Sequence, residues 1–146
     1  MKSTLPSPRL AAGQLISARE ALLRRDCMSR LNEWVEAKGY CTHGITICDL
    51  SNFIGTNRTT LSQYINQEFR LSFRDWINRY RCDEAIRQWE DMPNLTVDEV
   101  AKKCGFSSRK YFDLVFFACK GMSPSKYWKA NKQMRENLPD LEGEAE

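Results

Sequence analysis

Residues Thr96 to Trp128 read TVDEVAKKCGFSSRKYFDLVFFACKGMSPSKYW, and this stretch decides the fold. Thr96 can cap a helix. Glu99, three residues on, completes a capping box in which each side chain takes a backbone N–H of the other residue. Val97, Val100 and Ala101 supply an apolar face. Gly105 ends the helix, because the turn needs a left-handed residue and glycine adopts that conformation without steric cost. Phe106 then plugs inward. Ser107 caps a second helix, in which Tyr111, Phe112, Val115, Phe116 and Cys119 recur at helical spacing. Ser108, Arg109, Lys110 and Asp113 are left facing outward from its first two turns. Helix, glycine turn and second helix with a polar, basic N-terminal face is the layout of a DNA-reading helix-turn-helix. An ordinary helical hairpin is the plainer reading of this copy alone.

The pattern occurs twice. At an offset of 50, Thr46 meets Thr96, Asp49 meets Glu99, Leu50 meets Val100 and Ser51 meets Ala101. Gly55 then meets Gly105, Asn57 meets Ser107, Leu61 meets Tyr111 and Ile65 meets Val115. After one inserted residue, Leu71-Ser72 meets Met122-Ser123 and Trp76 meets Tyr127. Cap, apolar face, glycine and second cap all recur, and such a duplication is far harder to obtain by chance than one copy. Two copies in one chain can read neighbouring stretches of a duplex, about one helical turn (~34 Å) apart, a task that usually takes a dimer.

The runs CGFSSRKYFDLVFFACKGMSPSKYW and GTNRTTLSQYINQEFRLSFRDWINRYRCDEA resemble the signatures of AraC-type (AraC/XylS) transcription regulators. The resemblance spans Leu31 to Lys132. It rests on the Cys-Gly-Phe-Ser turn, the Ser-Pro-Ser-Lys-Tyr closing segment and the Ile-Asn-Arg-Tyr-Arg linker. It implies an all-α, monomeric seven-helix unit: two homeodomain-like helix-turn-helix subdomains joined by a long central helix. Both recognition helices would enter successive major grooves on one face of DNA. The resemblance also implies base-reading positions at Thr59, Ser62 and Gln63 in the first half and at Arg109, Lys110 and Asp113 in the second. Two departures weaken phosphate anchoring. Asn66-Gln67 and Phe117-Ala118 stand where basic residues are common, and Arg70 stands where glycine is common.

Composition agrees. Of 146 residues, 42% are hydrophobic and 28% charged, which is globular rather than disordered. The net charge of +3 conceals an asymmetry: Glu136 to Glu146 hold five acidic residues, so the first 135 residues carry 22 basic against 14 acidic, a net +8. A positive body suits a polyanionic partner. No apolar run approaches a membrane span, and no signal peptide is visible, so a cytoplasmic location is expected. None of the six cysteines forms a C-x-x-C pair, and His43 is the lone histidine, so neither a metal nor a cofactor is expected. Cys48, Cys104 and Cys119 fall on expected core faces, as small hydrophobes.

In order along the chain, residues 1–28 should comprise a loose N-terminus and an extra helix. The DNA-binding unit follows at 29–132, and an acidic tail at 133–146. Helical composition runs from Gln14 to Lys38, with Gly39 as C-cap. The apolar repeat Leu15 to Leu23 is either a short dimer seam or a helix lying back on the domain. The first helix-turn-helix occupies 46–69, with Asn57 as cap and Leu61, Ile65 and Phe69 facing the core. The linker helix occupies 72–92 and ends before Pro93; its Trp76, Ile77, Tyr80, Ile86 and Trp89 meet the two subdomains. Arg79, Arg81 and Arg87 on it either touch phosphates or line a solvated face. The second helix-turn-helix occupies 96–119. Ser123 and Pro124 then start a closing helix, whose free N–H groups, with Lys126, can meet a phosphate.

Candidate DNA contacts are therefore Asn57, Arg58, Thr59, Thr60, Ser62 and Gln63 from the first copy. From the second come Ser107, Ser108, Arg109, Lys110 and Asp113, joined by Lys126 from the closing segment. Arg and Lys suit guanine, Gln suits adenine, and Thr can meet a thymine methyl. Asp113 either accepts from cytosine N4 or orients Arg109 at i,i+4. No nucleophile–base pair or phosphate-cradling glycine loop is visible, so no catalysis is expected. The expected function is a sequence-specific regulator of transcription with duplex DNA and RNA polymerase as partners. The alternative is a protein-interaction module on the same fold. The resemblance leans towards versions attached to a sensing domain.

Overall fold

The computed structural model describes residues 12–137, and the expectations for a loose beginning and an acidic end fall largely outside them. The described residues form seven α-helices and no strand. These are α1 (Ala12–Glu36), α2 (Ile47–Ile54), α3 (Arg58–Phe69), α4 (Phe73–Asp91), α5 (Val97–Lys103), α6 (Arg109–Lys120) and α7 (Pro124–Asn137), with a 3-10 turn at Gly39–Cys41 after α1.

The helix starts follow from the side chains before them. Thr46 and Thr96 each accept an N–H three residues on, from Asp49 and Glu99 at 3.1 Å, and those carboxylates accept the threonine N–H groups at 3.0 and 2.8 Å. Both capping boxes are therefore complete. Ser72 caps α4 through the Asp75 N–H at 3.1 Å, and Ser123 opens α7 through the Lys126 N–H at 3.2 Å.

Helix α4 organises the interior. Its first half gives Trp76 and Ile77 to a core with Leu31, Trp34, Tyr40, Leu50, Ile54, Leu61 and Ile65. Its second half gives Cys82, Ala85 and Trp89 to a core with Val100, Ala101, Cys104, Phe106, Phe112 and Phe116. Trp76 stacks on Trp34 and Trp89 on Trp128, at 6.1 and 5.5 Å between ring centroids. Each fully buried large side chain contributes about 1.5–3 kcal/mol relative to exposure, so these aromatics carry much of the cohesion of each half.

Several details differ from the sequence expectations. The left-handed residue after α1 is Lys38 (φ 60), not Gly39. Gly39 is required for a different reason: a Cβ there would overlap the indole of Trp34. Lys38 is held by its ammonium, 3.0 Å from Glu84. Helix α1 runs unbroken through Arg24-Arg25-Asp26. Leu22 and Leu23 are exposed, with Leu23 lining a shallow groove against α3, and Leu15 falls outside the described side chains. Phe69, the last residue of α3, rests against Trp76 yet is 40% exposed, rather than facing the core. Cys48 and Cys119 are exposed, whereas Cys104 is buried. Both exposed cysteines lie in end turns of their helices, beside the buried stripe.

The duplication also shifts register earlier than expected. The turns match at offset 50 as far as Thr56 and Phe106, whose N–H groups bond the carbonyls of Ser51 and Ala101 at 2.9 and 3.0 Å. The cap of α6 is then Ser108, which accepts the Tyr111 N–H at 3.0 Å, and not Ser107. Burial of Phe106 draws the chain inward and makes room for one extra residue, Ser107. From there the offset is 51: Asn57 matches Ser108, Leu61 matches Phe112 and Ile65 matches Phe116, the last four all buried. Ser108→Ala should therefore cost about 1 kcal/mol, and Ser107→Ala less than about 0.5 kcal/mol, in urea unfolding. The reverse order would return the cap to Ser107.

Candidate nucleic-acid interface

Helices α3 and α6 each bury one face and turn the other to solvent. On α3 the exposed face carries Thr59, Ser62, Gln63, Asn66 and Gln67. At the 51-residue offset, the same positions of α6 are Lys110, Asp113, Leu114, Phe117 and Ala118. Asp113 is half-buried, and the others are exposed. Arg58 matches Arg109 at the first helical position. The centre of each face, at i, i+4 and i+7, is Thr59–Gln63–Asn66 on α3 and Lys110–Leu114–Phe117 on α6. Asn66, Leu114 and Phe117 were not among the expected contacts.

Other expected site residues have defined local roles. Asn57 accepts the Thr60 N–H at 2.8 Å, so its side chain is engaged as a cap, as that of Ser108 is. Thr60 is turned towards α1 and lines a shallow groove with Leu23, Cys27, Met28 and Tyr64. Ser107 is exposed in the turn, and Lys126 is exposed on α7.

Arg109 sits in a network. Its guanidinium donates to Asp113 at 3.1 Å, to Asp98 of α5 at 3.3 Å and to Ser125 of α7 at 3.1 Å. Of the two roles open to Asp113, the structure therefore contains the i,i+4 pair. All three guanidinium nitrogens are occupied, and the start of α6 is braced against both of its neighbours. Asn78 donates to the Tyr111 hydroxyl at 2.9 Å, and Lys120 pairs with Asp83 at 2.9 Å. Helix α6 is thus tied to α4 near both ends, which holds its outward face at a fixed angle.

The arginines of α4 divide: Arg81 and Arg87 are engaged within the protein, whereas Arg74 and Arg79 are exposed. Arg81 is only 7% exposed. It donates to the carbonyls of Tyr40 and Thr42 at 2.6 and 3.0 Å and lies over the Phe106 ring, 5.7 Å from its centroid. Both readings open for Arg81, a phosphate contact and a solvated face, are therefore corrected: Arg81 falls on the Ile77–Ala85 stripe and joins the two cores. Arg87 donates to Glu84 at 2.9 Å and to the Tyr40 hydroxyl at 3.2 Å, while Arg79 is exposed. Glu84 is fully buried beneath Lys38, Arg87 and Gln88. Burial is the largest single influence and on its own raises the Glu84 pKa. The three donors together outweigh it and hold the carboxyl below its ordinary value.

Among the described residues no three His, Cys, Asp or Glu side chains are grouped to hold a metal. No described helix is long and apolar enough to cross a membrane.

Two helix-turn-helix units on a shared central helix, with both second helices presented outward, define a double helix-turn-helix DNA-binding protein. Residues 50–130 match the family described as "Helix-turn-helix domain". The chain belongs to the AraC-type helix-turn-helix family of DNA-binding transcription regulators, a non-enzymatic family. It is 26% identical over 111 residues to the HTH-type transcriptional activator AarP of Providencia stuartii, covering 76% of this chain and 80% of that protein. It is 32% identical over 72 residues to the uncharacterized transcriptional regulatory protein YesN of Bacillus subtilis, 49% of this chain but 20% of that protein. The chain thus spans about a fifth of YesN's length. The DNA-binding domain of AdpA, a global transcriptional factor crystallised with a target DNA, superposes with a TM-score of 0.64 at 24% identity, over 75% of this chain and 98% of that one. At that identity the likeness shows the fold.

Proposed function

We propose that this chain regulates transcription by placing α3 and α6 in successive major grooves on one face of a duplex, binding as a monomer. The observation that carries this reading is the repeat itself. Two outward helix faces match position by position, and a 19-residue helix joins their subdomains. At 1.5 Å per residue that helix is about 28 Å long, close to the ~34 Å of one DNA turn. The AdpA domain, which shares the fold, was crystallised with a target DNA, and this supports duplex DNA as the partner.

In this reading Thr59, Ser62 and Gln63 contact base edges from α3, and Lys110 does so from α6. Arg58 and Lys126 meet phosphates, as do the N-terminal turns of α4 and α7. Asn57, Ser108 and the Arg109–Asp113 pair hold the recognition helices in register. AarP's description as an activator supports RNA polymerase as the protein partner. The proposed place of action is the cytoplasm, where such a regulator meets its DNA.

Selection of bound sequences from a random duplex pool, followed by titration at several salt concentrations, tests the proposal. The expected result is an enriched motif whose affinity falls steeply as salt rises, because each neutralised phosphate releases counterions. No enrichment and no salt-dependent binding would favour an interaction module on the same fold.

A further inference from the structure

The second recognition helix carries an apolar face where the first carries amides. Leu114 is 63% and Phe117 60% exposed, and they match Gln63 and Asn66 of α3. Together with Lys110 they run along the centre of the outward face at i, i+4 and i+7, opposite the buried Phe112 and Phe116. Two large apolar side chains on the same helix face as the first-turn lysine, in a chain with a basic body, need a partner that is anionic overall and apolar locally.

The one large apolar group in the major groove is the C5 methyl of thymine; apart from the small C5–H of cytosine, the base edges there present donors and acceptors. From this we infer that α6 reads thymine methyls through Leu114 and Phe117, while α3 reads by hydrogen bonds through Gln63 and Asn66. The inference rests on the docking proposed above. Three further observations favour it. The Asp113 carboxylate already accepts from Arg109 through Oδ1 at 3.1 Å, so part of its hydrogen-bonding capacity is spent within the protein. Arg109 donates once from each nitrogen to Asp113, Asp98 and Ser125, which holds its guanidinium in place at the start of α6. Lys126 is exposed on α7, the helix that follows α6, and can meet a phosphate while α6 lies in the groove. The two halves of the binding site would then differ in kind, with thymines concentrated under α6, and this asymmetry would orient the protein on its DNA.

The test uses a duplex selected by this chain from a random pool, titrated by fluorescence anisotropy. Thymidines are replaced by deoxyuridine, which lacks the methyl, in one half of the site at a time. Under α6 each methyl removed should weaken binding about fourfold, the burial value of one methylene-sized group expressed as a ratio. Under α3 replacement should change little at the bases facing Gln63 and Asn66, Thr59 being the one α3 contact able to meet a methyl. The double variant Leu114→Gln with Phe117→Asn copies the α3 chemistry onto exposed positions. It should melt with the parent and lose the uracil effect. Tight, salt-dependent binding that is indifferent to uracil in both halves would overturn the inference and leave the proposed function standing. Absence of binding to any duplex would overturn both. A parent that sediments as a dimer, with the double variant monomeric and unchanged in DNA binding, would assign the face to protein association and overturn the inference.

Discussion

Gly105→Ala should cost about 3–5 kcal/mol, a large share of the stability of a domain this size. The residue adopts φ +92, and a Cβ built on it would stand 2.6 Å from the carbonyl oxygen of Cys41. Two penalties add. One is the left-handed conformation. The other is overlap with backbone that cannot rotate away, since the carbonyls on either side of Cys41, those of Tyr40 and Thr42, are both held by Arg81. Gly121→Ala is the control. Gly121 also has a positive φ, +80, but nothing lies within 4 Å of its Cβ position. It should lose only the conformational part, about 1–2 kcal/mol. Urea unfolding of both variants checks the difference. Equal losses would mean that the 3-10 segment does not press on the second turn.

Arg81→Ala should destabilise the fold by about 3 kcal/mol, since it removes charged hydrogen bonds to two carbonyls and leaves them without a partner. Arg81→Lys should lie between, because an ammonium cannot span both carbonyls as a guanidinium does. Glu84→Gln belongs with it, because Glu84 lies one helical turn away and gathers Lys38, Arg87 and Gln88. The folded Glu84 carboxyl sits below its ordinary value of 4.5. Its contribution is therefore fully present above that value and is lost as pH falls through the folded pKa. Acid unfolding of the parent should include this loss, and Glu84→Gln should show a shallower decline. If Arg81→Ala kept full stability but bound DNA with a salt slope reduced by about one unit, Arg81 would be a phosphate contact after all.

The parts legible in the sequence were those decided within a few residues. Thr46 with Asp49 and Thr96 with Glu99 form their capping boxes from partners three positions apart, so spacing alone reveals them. The limits of α4 follow from Ser72 before it and Pro93 after it. Details set by distant packing were not legible. Ser107 and Ser108 are chemically the same cap, and only the burial of Phe106 selects between them. Gly39 looked like a helix terminator, but its lack of a side chain serves Trp34, and the left-handed residue is a lysine held by a glutamate 46 positions on. Arg81 carried a usable signal, its place on the Ile77–Ala85 stripe, which the general association of arginine with phosphate obscured. Leu114 and Phe117 were equally visible on the face opposite Phe112 and Phe116. They enter the proposed interface once the register is moved by one residue.

In the proposed mode one chain reads two adjacent major-groove segments with two different helices. Sedimentation of the chain with a selected duplex of about two turns, combined with a footprint of the same complex, tests it most directly. The expected result is a 1:1 complex that protects two segments on one face of the duplex, one helical turn (~34 Å) apart. A required 2:1 complex, or protection of a single segment, would contradict it.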